Sequence, residues 1–206
     1  MIQEPYHKQQ DEILWKHMRE KGSAKAFEEL YDRYFPVLYA YGMQFCANRA
    51  VVKDCLQDLF VDIYQRRTCL HEVRKVKQYL FVSFRNCILR QVSAKIFLHE
   101  TISENYHFQV NFSHEDQIIG EQFDMDRQKL LKAAFAKLSS RQKEAVFLRF
   151  YENMSYAEIA TVMKMKEVKY ARTIVYRALI SLKLTLKDHS LTLYSAFPFF
   201  FLFQKH

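Results

Sequence analysis

From Ala24 to about Arg67, apolar residues return every three or four positions: Phe27, Leu30, Tyr31 and Tyr34, then Leu38, Tyr41 and Phe45, and later Val52, Cys55, Leu56, Leu59, Phe60, Ile63 and Tyr64. That recurrence is the signature of amphipathic helices. A polar, basic stretch from Arg66 to Lys77 breaks the pattern. A further helix follows, with Leu80, Phe84, Cys87 and Ile88 on one side and Ser83, Asn86 and Arg90 on the other, and the first domain closes near Lys95. Between about Phe97 and Asp126 the period is lost and Ser, Asn, His and acidic residues gather, the composition of a linker. Helical spacing resumes at Arg127.

Two helix starts are then marked by their own chemistry. Ser139-x-x-Gln142 and Ser155-x-x-Glu158 both have the spacing in which the first and fourth side chains satisfy each other's free backbone N–H groups. Helices are expected at roughly 140–151, 156–164 and 168–185. The last two are separated only by Lys164-Met165-Lys166-Glu167, the connection length of a helix-turn-helix.

Composition narrows the fold class. Three Gly and three Pro in 206 residues leave few of the tight turns that sandwiches and barrels need, and the chain is long enough for two small cores. The expectation is all-α: two small helical domains, residues 1–96 and 129–187, joined by a flexible acidic linker at 97–128 and followed by an apolar tail at 188–206. The tail run Leu191–Phe203 contains Pro198 and is shorter than the roughly 18–20 residues a bilayer crossing requires. No apolar signal-peptide core is present at the N-terminus, so a cytoplasmic protein is expected.

The formal charge of +8 is unevenly placed. Residues 25–96 hold 12 Lys/Arg against 7 Asp/Glu, residues 97–128 hold 1 against 7, and residues 129–187 hold 13 against 4, giving +5, −6 and +9. Two basic blocks around an acidic one suit two nucleic-acid-facing domains. Cys46, Cys55, Cys69 and Cys87 form no C-x-x-C pair and have no His at metal-ligand spacing, so reduced cysteines and no metal are expected.

The helix at 168–185 is the most informative. Ala171, Ile174, Val175, Ala178 and Leu182 make one apolar stripe, while Lys169, Arg172, Thr173, Tyr176, Arg177 and Lys183 crowd the other side. Arg bonds a guanine edge bidentately, Lys and Tyr hold phosphates, and Thr does either. An ordinary solvated amphipathic helix of a basic protein would share this pattern; the two capping boxes and the absence of a nearby acidic counterface favour DNA.

Leu138–Lys183 resembles the C-terminal domain of sigma factors, through its Arg-Gln, Leu-Arg-Phe-Tyr, Ser-Tyr-x-Glu-Ile-Ala and Arg-Ala-Leu runs. Ala26-Phe-Glu-Glu-Leu-Tyr-Asp-Arg-Tyr34 is similar to the family's opening helix, Asp54-Cys-Leu-Gln-Asp-Leu-Phe60 to its polymerase-binding helix, and Tyr79-Leu-Phe with Arg85-Asn86 to its promoter-melting helix. The resemblance covers about residues 24–185. Two domains and a short linker mark the extracytoplasmic-function group, and the tyrosine-rich wording is similar to versions from Bacteroidetes.

That resemblance implies a sigma factor that binds core RNA polymerase and promoter DNA, with an anti-sigma factor as a further partner. It implies reading of the minus-thirty-five element by Lys169, Arg172, Thr173, Tyr176, Arg177 and Lys183, and of the melted minus-ten strand by Arg74 and Lys77 of the basic loop with Asn86 and Arg90. Leu56, Gln57, Asp58, Phe60 and Ile63 would bind the polymerase clamp, although core packing explains Leu56, Phe60 and Ile63 equally well and a solvated loop explains Arg74 and Lys77. The acidic linker would follow the RNA exit path. The family usually has Gly or another small turn-former where Lys164 stands, and the turn looks one residue longer.

No nucleophile–base pair, Gly-rich phosphate loop or metal-ligand cluster stands in the sequence, so no catalysis, cofactor or small-molecule substrate is expected. Two alternatives remain: a stand-alone helix-turn-helix regulator, which has no use for the Asp54–Tyr64 helix, and a membrane-associated helical protein held by the tail.

Overall fold

The computed structural model describes residues 6–96, 106–110 and 123–187. The apolar tail and most of the acidic linker lie outside the described residues. Within them the chain forms eight α-helices and no strand, and it divides into two compact units, Met1–Tyr106 and His107–His206.

The first unit opens with α1 (Asp11–Lys21), a helix the periodicity reading did not include. It buries Leu14, Trp15 and Met18, carries Asp11 and Glu12 in its first turn, where negative charge suits the helix dipole, and stops at Gly22 in the left-handed region, φ 60°. α2 (Ala24–Gly42) is capped by the Ser23 hydroxyl, which accepts from the Ala26 N–H. α3 (Arg49–Gln65) is capped by the Asn48 side chain, and α4 (Val76–Ile96) follows a short 3-10 turn at Arg67–Cys69. Leu30, Leu38 and Tyr41 of α2, Val52, Leu56 and Phe60 of α3, and Leu80, Phe81, Phe84 and Ile88 of α4 are buried together.

α2 approaches its neighbours closely at Gly42, where an added Cβ would lie 2.7 Å from Val52 Cγ1 and 2.8 Å from Phe84 Cζ. A polar network fastens α1 to α2. Asp11 accepts hydrogen bonds from both the Arg33 guanidinium and the Tyr34 hydroxyl, and Arg33 also reaches Glu29 at 2.9 Å. Burial and the Asp11 carboxylate both push the Tyr34 hydroxyl well above its ordinary pKa.

In the second unit, α5 (Phe123–Ala136), α6 (Ser140–Phe150) and α7 (Tyr156–Val162) all pack on α8 (Val168–Lys187). Ala134, Phe135 and Leu138 meet Val146, Ala178, Leu182 and Leu186 in one apolar cluster. α5 starts at Phe123, inside the stretch expected to be linker. Phe108 is fully buried, its N–H donating to the Ser140 hydroxyl at 3.2 Å and its ring 5.9 Å from that of Phe147.

Candidate nucleic-acid interface

α7, its turn and α8 are built by local chemistry. Both capping boxes are formed: Ser139 Oγ accepts from Gln142 N–H while Gln142 Oε1 accepts from Ser139 N–H, and Ser155 and Glu158 do the same. α7 ends in a left-handed cap at Lys164, φ 52°. The Lys164 N–H donates to the Thr161 carbonyl at 3.2 Å and the Met165 N–H to the Ala160 carbonyl at 2.7 Å, the paired bonds of a Schellman motif. The position where the family's small turn-former is missing is thus one that favours glycine.

α8 presents two faces. Ala171, Val175, Ala178 and Leu182 are buried against the unit, and Ile174 is half-buried. Lys169, Arg172, Thr173, Tyr176, Arg177 and Lys183 are all exposed. They are not equivalent. Lys169 Nζ lies 2.8 Å from Glu167 and 5.3 Å over the Tyr170 ring, so part of its charge is answered locally. The Thr173 hydroxyl donates to the Lys169 carbonyl at 2.9 Å, which leaves its oxygen as an acceptor. Lys183 stands two turns beyond Tyr176, about 10 Å along the axis, which separates it from the N-terminal residues that enter a groove first. Exposed Lys164, Lys166 and Tyr170 extend the polar surface, and sequence reasoning did not pick them.

Tyr156, the first residue of α7, was also missed. The Arg149 guanidinium lies 5.0 Å and that of Arg172 5.7 Å from its ring centroid, so the aromatic face helps orient Arg172. No periodicity marks such a residue, because the contact joins three helices.

On α3 only two of the five expected polymerase residues reach solvent. Gln57 and Asp58 are exposed; Leu56, Phe60 and Ile63 are at most 3 % exposed and belong to the core. That part of the expectation is corrected: these three side chains bind α2 and α4, not a partner. The exposed ridge instead runs Asp54, Gln57, Asp58, Val61 and Asp62, with Val61 44 % exposed. Asp62 on this ridge is paired with Arg66 at 3.2 Å.

Of the four residues expected at the melted strand, Asn86 and Arg90 lie one turn apart on α4. Lys77 belongs to the first turn of α4 rather than to a loop, half a turn out of phase with Asn86, and its Nζ lies 5.8 Å over the Phe81 ring. Arg74 is exposed in the preceding segment. That segment is tied to α1, where Trp15 Nε1 donates to the His71 carbonyl and Arg19 to the Leu70 carbonyl, each at 3.5 Å. Arg85 is nearly buried, its guanidinium 5.2 Å over the ring of Tyr106, which also meets Phe45 at 5.6 Å.

Residues 128–180 match the model of the family described as sigma-70, region 4. The ECF RNA polymerase sigma factor BldN of Streptomyces coelicolor is 30% identical over 170 residues, a match covering 81% of this chain and 62% of BldN. The chain is thus similar to extracytoplasmic-function sigma factors of the sigma-70 family. Its likeness to the ECF sigma factor SigL of Mycobacterium tuberculosis is 25% identity over 170 residues, covering 82% of this chain and 93% of SigL. The chain therefore spans somewhat less than two thirds of BldN and nearly all of SigL.

Two solved structures share its fold. CnrH, solved in complex with the cytosolic domain of CnrY, superimposes with a TM-score of 0.59 at 20% identity, covering 86% of this chain and 97% of CnrH. The sigma factor RpoE, solved with the anti-sigma factor NepR from Bartonella quintana, gives 0.55 at 20% identity, covering 80% and 98%. Among the described residues no helix is long and apolar enough to cross a membrane.

Proposed function

We propose that the chain binds core RNA polymerase and directs promoter-specific transcription initiation in the cytoplasm, without catalysis of its own. The observation that carries this reading is the exposed donor face of α8, set by two capping boxes and a Schellman turn on a unit that matches sigma-70 region 4. Arg172, Thr173, Tyr176 and Arg177, with Lys169 and Lys183 at the two ends, read or flank the minus-thirty-five element. Asn86 and Arg90, with Arg74 and Lys77 nearby, receive the melted minus-ten strand, where an unstacked base needs hydrogen-bond partners and phosphates need cations. Gln57 and Asp58, on their acidic ridge, meet the polymerase. The anti-sigma factor in the RpoE complex makes a protein of that class a natural further partner.

Binding of a labelled promoter duplex, titrated with and without core polymerase, tests this. Arg172→Ala and Arg177→Ala should each weaken the polymerase-dependent complex by about 1–3 kcal/mol if the side chain contacts a base. Unchanged affinity in both variants would remove α8 from the reading role, and equally tight binding without polymerase would favour a stand-alone regulator.

A further inference from the structure

Bare apolar surface gathers on α8. Of the seven large apolar side chains that stand exposed among the described residues, five lie on this one helix: Val168, Tyr170, Tyr176, Ile180 and Leu184. The last three follow one another at four-residue steps and so form a single stripe, 65 %, 39 % and 62 % exposed. Ala178, Leu182 and Leu186, which face the core, are at most 3 % exposed. The stripe also runs beyond the family likeness: the match to sigma-70 region 4 ends at residue 180, whereas α8 continues to Lys187. Ile180 and Leu184 stand about 12 and 18 Å along the axis from Arg172, and their side chains hold no donor for a phosphate. An apolar stripe on a helix that already buries its other side calls for a second cover.

We propose that the apolar run Leu191–Phe203 of the same chain folds back on this stripe. The described part of α8 ends at Lys187, and the run begins four residues later. It holds five Phe and three Leu and no charged residue. Asp188, His189 and Ser190 separate it from the helix, and Asp and Ser suit a reversal of the chain. The reach is sufficient. From Lys187 back to Tyr176 is about 16 Å along the helix axis, while thirteen residues span about 20 Å at helical rise and about 40 Å when extended.

The size of the stripe selects a tethered occupant. A specific interface between separate proteins buries roughly 800 Å² on each partner. Three side chains fall short of that even if each offered about 150–250 Å², the area of a whole aromatic residue. A segment of the same chain, joined by three residues, meets the stripe at an effective concentration in the millimolar range and needs far less area to stay. One consequence rests on the transcriptional reading, although the packing itself does not. Tyr176 at one end of the stripe, and Arg177 beside it, belong to the face assigned to DNA, so the seated run and a promoter duplex would compete there.

Carbene photolabelling read by peptide mass spectrometry tests the packing, on the full-length protein and on a chain lacking residues 191–206. In the full chain Ile180 and Leu184 should label several-fold less than in the shortened one, with Leu184 close to buried Leu182. Leu182 should stay protected in both, and Val168, exposed on α8 but off the stripe, should label equally in both, so that an intact helix is read in the same experiment. Phe199→Asp with Phe201→Asp, which keeps the length of the chain, should uncover the stripe as the deletion does. Equal labelling of Ile180 and Leu184 in the full and shortened chains would overturn the proposal. So would protection that survives the deletion and fades on dilution, the mark of a second copy on the stripe.

Discussion

Replacing Lys164 by glycine should stabilise the second unit, although it removes a charged side chain and adds nothing. Lys164 holds φ 52° just past the end of α7, fixed there by the two bonds from its own N–H and that of Met165. A left-handed backbone costs a residue with a Cβ roughly 1–2 kcal/mol, a cost glycine does not bear. Against this, glycine's greater freedom in the unfolded chain takes back roughly 0.4–1 kcal/mol. The exposed side chain gives up little packing, so Lys164→Gly should gain about 0.5–1 kcal/mol. Lys164→Val has the opposite sign, because a β-branched side chain is a genuine outlier at positive φ. Urea unfolding followed by far-UV circular dichroism reads both: with a slope of roughly 1–3 kcal/mol per molar, the glycine variant's midpoint should rise by a few tenths of a molar at unchanged slope. Trp15, the sole tryptophan, is buried in the first unit, so its fluorescence transition serves as an internal control and should not move. A glycine variant less stable than the parent, or a valine variant as stable, would refute the left-handed turn and with it the register of α8.

Gly42→Ala should destabilise the first unit by roughly 1–3 kcal/mol, since its Cβ would press on buried Val52 and Phe84; adding Val52→Ala should recover part of the loss, and strictly additive losses in the double-mutant cycle would deny the close approach. Tyr34 links the same unit to alkaline pH: its folded pKa is raised above the unfolded value near 10, so its contribution is complete below pH 10 and falls away as pH rises beyond it. Tyr34→Phe should flatten that alkaline decline in stability, and an unaltered pH slope would remove Tyr34 as its source. Asp58→Arg, at an exposed position, should weaken binding to core polymerase with the melting temperature unchanged; a normal affinity would take Asp58 off the interface.

Features set by neighbours along the chain are legible in the sequence itself. Ser139, Gln142, Ser155 and Glu158 announce helix starts because the bonds they make close within four residues, and the two faces of α8 follow from its period. α1 is legible in principle through Leu14, Trp15, Met18 and the Gly22 stop, but an 11-residue helix offers barely three turns of pattern. On α3, periodicity identifies the apolar stripe correctly, but Leu56, Phe60 and Ile63 on it are buried in the core of the first unit, and the exposed side chains lie on the ridge of Gln57 and Asp58. Tyr156 beside Arg172 and Tyr106 over Arg85 are contacts across long stretches of chain, and one sequence carries no signal for them.

Run-off transcription with purified core RNA polymerase, with and without this chain, on a pooled library of promoter regions from the same bacterium tests the central claim most directly. Promoter-specific transcripts that appear only when the chain is added, and fade with Arg172→Ala or Arg177→Ala, are the expected result. Transcription that is indifferent to the chain, while the chain alone binds those duplexes tightly, would contradict it.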